Sequence, residues 1–477
     1  MSIKNFGQLT KNLYLPINLG NSLGGLLMTR KLRLNAFAMN CVGHQSHGLW
    51  RHPRDRSADY KHSRHWVEIA RLLEKGKFDG IFFADVVGVY DVYGGGPETA
   101  LREAAQVPTN DPLLIIPPMA DATQNLSFAV TVNLTQEAPL PFARRMSTLD
   151  HMTDGRVGWN VVTGYLDSSA KGVGQAKQID HDVRYDIAEE FMGIQYGFWE
   201  GSWEDGALCK NVGTGVFTDP TKIHRIEHEG EYFKVSGIHL CEPSPQRTPV
   251  LYQAGSSPKG MAFAARHAEC VFVAGKSREK MARDVAKLRK LAVDAGRSAS
   301  DIKVFCLATV ITGATNEEAQ AKLADYQNYV SPEGGLAIIS GWTGIDFAKP
   351  DLLAAGASSS NAIQSVAANF AGGAENVETI GRSIALGGGG LLIVGDGKHV
   401  ADELEAWANE ADLDGFNFCY VVMPETFEDI VEHVVPELQL RGLFKTEYDH
   451  GTYREKLFGE GPHLKDVHPG AKYRKGL

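Results

Sequence analysis

Apolar residues along the chain follow two alternating rhythms. Short runs rich in Val, Ile, Phe and Tyr, bounded by turn residues, occupy 32–39, 80–86, 126–133, 157–163, 249–255, 270–274, 304–313 and 415–422. Each predicts a β-strand. Between them lie stretches with apolar residues three and four apart, which predict amphipathic helices over 65–73, 186–199 and 277–295. The last of these, SREKMARDVAKLRKLAVDA, stops at Gly296, a residue that ends helices readily. Eight strands, most followed by a helix, are what an α/β fold of the (β/α)8 TIM-barrel type requires. A doubly wound open sheet uses the same alternation, and periodicity alone does not separate the two.

Three stretches depart from the rhythm. Residues 200–247 are polar and turn-rich and predict a small hairpin inserted between strands four and five. Residues 331–390 are rich in Gly, Ala and Ser and predict a long active-site excursion before the last strand; long loops in compact enzymes are more often lids than linkers. Residues 1–30 hold Pro16, several glycines and a second methionine, Met28. They lack the unbroken apolar centre of a signal peptide and the arginines of a mitochondrial leader. They read as a loose arm, or as an upstream extension of a chain that naturally starts at Met28. Residues 31–477 then read as one elaborated barrel domain, without internal repeat or dividing linker.

Composition narrows the function classes. The 477 residues are 43% hydrophobic and 22% charged, with 48 Lys plus Arg against 58 Asp plus Glu. A net charge of −10 with no basic run argues against nucleic acid or an anionic membrane as partner. The six cysteines form no CxxC pair, which fits reduced thiols in the cytoplasm better than a disulfide framework or a zinc site. No apolar run is long enough for a membrane-spanning helix. There is no P-loop, GxSxG elbow, HExxH or EF-hand loop. Gly172-Val173-Gly174 lacks the third glycine of a dinucleotide fingerprint, so redox chemistry would draw its electrons from outside this chain.

The candidate chemistry collects at strand ends, where a barrel builds its site. Asp85 closes the run GIFFADV, Asn133 and Thr135 close the third strand, and Asn160 and Thr163 lie on the fourth. The fifth ends in Gln253-Ala254-Gly255-Ser256-Ser257 before Pro258. A strand that ends so and opens a helix presents free backbone N–H groups, two hydroxyls and a helix N-terminus, a natural phosphate cradle. The alternative is an ordinary serine cap before a proline-initiated helix. His44, His47 and His52 cluster after the first strand, and with Asp85 and His181 they offer a metal-dependent hydrolase as a rival reading. The other reading of these histidines is a polar cleft mouth with no metal.

At this point the sequence resembles a known family. NAFAMNCVGHQSHGLWRHP (35–53), KGKFDGIFFADVVGVYDVY (75–93), FARRMSTLDHMTDGRVGWNVVTG (142–164), DHDVRYDIAEEF (180–191), FWEGSWED (198–205), CEPSPQRTPVLYQAGSSPKG (241–260) and GTYREKLFG (451–459) are similar to segments of the bacterial luciferase-like, flavin-dependent monooxygenases. The branch is that of the nitrilotriacetate, dibenzothiophene sulfone, dimethyl sulfide and long-chain alkane enzymes. NCVGH, DVVGVYDVY and GWTGIDFAKP (341–350) bring the last two nearest.

The resemblance implies a barrel that binds FMN at the strand C-termini. It assigns Asp85, Asn133, Thr163, His181, Tyr185, Ala254, Gly255, Ser256 and Ser257 to the cofactor, with Tyr185 and the two serines at the phosphate end. It assigns Cys41, His44, Tyr90 and Gln106 to the substrate pocket. Tyr165 stands there where the alkane enzyme has histidine, and 333–340 lacks that enzyme's histidines, which counts against an alkane substrate and a strict histidine mechanism. The implied activity is that of the oxygenase component of a two-component system. A separate NAD(P)H:flavin reductase supplies FMNH2, and O2 then gives a C4a-(hydro)peroxyflavin that must be kept dry while it oxygenates a small apolar compound. Thioether or sulfone C–S cleavage and alkane hydroxylation are the expected reactions.

His44 is the expected hydrogen-bond partner or proton source, because an imidazole titrates in the working range; its alternative is a histidine that fixes the first loop. Tyr90 is the second candidate donor, with a merely packed tyrosine as its alternative. Cys41 is expected as an apolar wall. A homodimer or homotetramer is expected. A barrel oxidoreductase that uses deazaflavin F420 without O2 is the other enzyme class in view, and a flavin-binding relative without turnover is the non-enzymatic one.

Overall fold

The computed structural model of the chain describes residues 31–349 and 376–475. The expected arm at 1–30 and the middle of the 331–390 excursion lie outside the described residues. Eight parallel strands form the centre: β1 (Arg33–Met39), β2 (Gly80–Ala84), β3 (Ser127–Asn133), β4 (Val157–Val162), β5 (Val250–Gln253), β6 (Cys270–Val273), β7 (Lys303–Gly313) and β8 (Gly415–Cys419). Each pairs with the next, and β8 pairs back onto β1 with Arg33 opposite Gly415 and Phe37 opposite Cys419. The sheet is therefore closed. A (β/α)8 barrel replaces the open-sheet alternative, and all eight expected strands belong to it.

Parallel strands covered on both faces read as continuous apolar runs, and β3 (SFAVTVN) is buried along almost its whole length. Outward-facing residues such as Phe128, Val130 and Trp159 pack beneath the helices, with Phe142 4.7 Å from Trp159 between ring centres. Inward-facing residues fill the barrel axis with rings. Phe82 lies 4.3 Å from Phe272, and Tyr252 stacks on Phe272 at 5.2 Å. Below them Tyr453, from the short helix Tyr453–Phe458, plugs the N-terminal end and hydrogen-bonds Tyr252 through its hydroxyl. With the axis solid and the bottom sealed, room for a ligand is left at the C-terminal mouth.

The excursions differ from expectation in detail. Residues 200–247 carry two antiparallel hairpins, Leu208–Asn211 with Val216–Thr218 and Ile226–Glu229 with Lys234–Gly237, where one was expected. The helix expected at 186–199 spans His181–Tyr196 and runs into a wider π-type turn at Gly197–Gly201. The described parts of 331–390 are largely helical, as Pro332–Thr343 and Val377–Ile384. A further strand, Leu391–Asp396, pairs with the outer half of β7 from Ala308 to Gly313 and stands outside the barrel. No helix among the described residues is long and apolar enough to cross a membrane.

One buried ion pair ties the bottom together. Arg454 is buried and forks onto Glu269 through Nε and Nη2 at 2.6 and 2.9 Å, while Nη2 also reaches the carbonyls of Thr248 and Pro249 and Nη1 that of Pro462. Removing one partner leaves the other charge buried and unpaired. Arg454→Ala is therefore expected to cost about 3–5 kcal/mol of unfolding free energy, read by urea denaturation; a loss under about 1 kcal/mol would show that the pair does not hold this end.

Candidate active site

The C-terminal mouth opens into a cleft with a cavity volume of about 250 Å³. All nine residues expected at the cofactor line it: Asp85, Asn133, Thr163, His181, Tyr185, Ala254, Gly255, Ser256 and Ser257. Local chain geometry puts them there. Asp85 follows the last residue of β2 and Thr163 the last of β4, so both side chains stand on the rim. Asn133 ends β3, where its Oδ1 accepts from the Thr135 N–H and hydroxyl at 3.1 and 2.9 Å and turns the chain. His181 and Tyr185 lie one turn apart on the helix His181–Tyr196, their rings 5.3 Å from each other.

At one end of the cleft the helix Pro258–His267 begins, with Ser257 as its cap, accepting from Gly260 N at 3.0 Å. Ser257 is thus the serine cap before a proline-initiated helix that the sequence offered as one reading. The Tyr185 hydroxyl presses so close that a Cβ on Gly255 or Gly260 would lie 2.7 or 2.6 Å from it. Only glycine leaves the turn open here. Gln253 braces the turn by accepting from Gly255 N at 2.6 Å. Sequence reasoning left out Arg184, which lines the same cleft with a buried guanidinium that donates to the Ile179 carbonyl at 2.6 Å. Burial draws its pKa down to about 10, which leaves it cationic at neutral pH. Its place three residues after His181 in DHDVRYDIAEEF was the available signal.

The expected substrate-pocket residues divide. Tyr165 lines the cleft, whereas Cys41, His44, Tyr90 and Gln106 are buried behind it. The Tyr165 and Tyr90 hydroxyls are 2.6 Å apart, Tyr90 donates to Gln106 Oε1 at 3.0 Å, and Gln106 Nε2 donates to the His44 carbonyl at 2.8 Å. The single Tyr90 proton is committed to Gln106, so Tyr90 has none to give a ligand while this bond stands. The His44 ring packs edge-on against Phe37 at 4.4 Å, and Nδ1 meets no partner. Burial first, and His47 second, lower the His44 pKa to about 3. The expectation that His44 titrates in the working range is corrected: it is a neutral imidazole there.

Cys41 is held well above the usual thiol range by burial and then by the Asp85 charge, so it stays protonated. Asp85 itself rises to about 7 through burial and then the Asp111 charge, against a lowering bond from Val86 N–H. Among the described residues no group of three or more His, Cys, Asp or Glu is placed to hold a metal ion. His181 instead pairs with Asp182 at 2.7 Å. The hydrolase alternative therefore lacks its ligand set.

Comparison with known proteins agrees with this geometry. The profile of the luciferase-like monooxygenases matches residues 44–413. The chain belongs to that family. It is 51% identical over 449 residues to the long-chain alkane monooxygenase of Geobacillus thermodenitrificans, covering 94% of this chain and 99% of that one. It is 47% identical over 455 residues to the dimethyl-sulfide monooxygenase of Hyphomicrobium sulfonivorans, covering 94% of each. A riboflavin lyase solved with modified FMN and riboflavin superposes with a TM-score of 0.86 at 36% identity, covering 93% of this chain and 99% of that one. The two curated relatives are monooxygenases by name, and the family to which they and this chain belong is one of enzymes.

The Asp85 environment gives a signed pH dependence. A carboxyl with a raised folded pKa adds stability below its unfolded value near 3.8, and that contribution is lost as pH rises through about 7. The melting temperature of ligand-free Asp85→Asn, relative to the parent, is expected to climb between pH 5 and 8. A difference independent of pH over that range would show that Asp85 ionises normally.

Proposed function

We propose that this chain is the oxygenase component of a two-component, FMNH2-dependent monooxygenase acting on a small apolar organic substrate, a thioether or sulfone before an alkane. The single observation that carries it is the two-ended cleft. One end offers a helix N-terminus, the Ser256 and Ser257 hydroxyls, the Tyr185 phenol and the Arg184 cation. The other offers Asp85, Asn133 and Thr163 among Val161, Val162 and Leu166. That donor set fits a phosphorylated planar ring, with its anion on the helix and its polar ring edge against the strand ends. The family relatives and the modified FMN of the riboflavin lyase support the same cofactor.

Reduced FMN, once bound, activates O2 so that one oxygen atom enters the substrate and the other leaves as water. The chain's own residues do the rest. Ser256, Ser257, Tyr185 and Arg184 anchor the phosphate. Asp85, half neutral near pH 7, donates or accepts at the ring edge. His44 offers an uncharged N–H or lone pair rather than a mobile proton, and Cys41 is an inert wall. Burial of these groups keeps water from the reacting oxygen. A separate NAD(P)H:flavin reductase supplies the reduced flavin, the working form is a homodimer or homotetramer, and the six unpaired cysteines suit the cytoplasm.

The test mixes protein and photoreduced FMN with 18O2 in the presence of dimethyl sulfide, diethyl sulfone or octane. One 18O per product and oxygen uptake matched to product are expected for at least one of them. Full recovery of the oxygen as hydrogen peroxide with every substrate would contradict the proposal. His44→Asn is expected to divert about tenfold more oxygen to peroxide, on the scale of one lost oriented polar contact, with FMN affinity unchanged within about threefold.

A further inference from the structure

Tyr165 lines the cleft, and its hydrogen-bonding state is fixed from behind. The His44 carbonyl only accepts, so Gln106 turns Nε2 to it and Oε1 to Tyr90. That amide oxygen also only accepts, so Tyr90 gives its proton to Gln106. The proton in the 2.6 Å contact between the two phenols therefore comes from Tyr165. The indole of Trp342 stands beside the same pair of hydroxyls. The Tyr165 hydroxyl is thus satisfied by the protein, and what it shows the cleft is an aromatic ring.

The two groups that hold Tyr165 from behind are themselves held in place. Gln106 sits at φ 57°, in the left-handed region that residues with a Cβ rarely occupy, so the backbone is strained to aim its amide. The helix Pro332–Thr343 brings Gly341 so close to the Tyr90 ring that any Cβ there would collide with it. Tyr90 itself belongs to a buried apolar cluster with Leu336, Ile339 and Phe347.

We propose that Tyr165 is the specificity-determining residue of the cleft, a fixed aromatic stop that admits short apolar substrates such as dialkyl thioethers of a few carbons and turns away long-chain hydrocarbons, a role that rests on the oxygenase function proposed above. Opening the stop would let a longer chain reach the cluster behind it. A polar head group gains nothing from a hydroxyl already spent on Tyr90.

The experiment uses the full chain loaded with FMN and a series of dialkyl sulfides from dimethyl to dioctyl. Binding is followed by calorimetry with oxidised FMN, and KM and kcat with photoreduced FMN. For the parent, affinity is expected to fall about tenfold or more per added methylene once the stop is met, with KM rising in step and kcat little changed. Tyr165→Phe keeps the cut-off. Tyr165→Ala and Tyr165→Leu move it several carbons toward longer chains, with circular dichroism and FMN affinity reporting that the variants fold. A parent that takes dioctyl sulfide as well as dimethyl sulfide, or folded Ala and Leu variants with the parent's length profile, would overturn the stop. Sulfides that bind with the expected profile and are not oxygenated would support the stop and sink the oxygenase function instead.

Discussion

Closure of the eight-stranded barrel is the constraint on which the rest depends. Pairing β8 with β1 closes the eight strands on themselves, and it forces every inward side chain into one narrow axis. Rings from Phe37, Phe82, Tyr252, Phe272 and Phe305 fill that axis, and Tyr453 seals the bottom. All strands run the same way, so their C-terminal ends converge on one mouth. A polar group placed at a strand end there has neighbours from several strands at once. The cleft is a consequence of topology before it is a consequence of any one residue.

Desolvation then divides the labour among those groups. Behind the cleft wall His44 stays neutral and the Cys41 thiol stays protonated, and on the wall burial pushes Tyr165 up to about 12. Asp85, on the rim, is held near neutrality, where both of its protonation states are populated. Arg184 keeps its charge beside a helix N-terminus, and the two together make an end suited to an anion. One cleft therefore has a cationic end and an end whose one ionisable group, Asp85, is partly neutral, which suits a phosphorylated flavin beside an apolar substrate.

Much of this was legible in the sequence because doubly covered strands leave long apolar runs and because rim residues close those runs. Asp85 after GIFFA and Ser256–Ser257 before Pro258 could be placed without coordinates. What escaped was tertiary. The strand Leu391–Asp396 follows four glycines, alternates buried and open positions, and pairs outside the barrel, so it lacked the signature of its neighbours. The two hairpins in 200–247 are too short and too exposed to show a period. His44 was assigned a titration it does not have, since burial cannot be read from residue type. The commitment of the Tyr90 proton depends on which way Gln106 faces, and that is set by a carbonyl 62 positions away in the chain.

The most direct measurement is the affinity of the protein for FMN set against riboflavin, by calorimetry under identical conditions. The two ligands differ only in the phosphate, so the ratio isolates the end formed by Ser256, Ser257, Tyr185 and Arg184. Two charge-assisted hydrogen bonds at about 1.5–3 kcal/mol each predict that FMN binds at least about a hundredfold more tightly. Equal affinity for the two would contradict the account, because the cradle at the mouth of the barrel would then hold no phosphate.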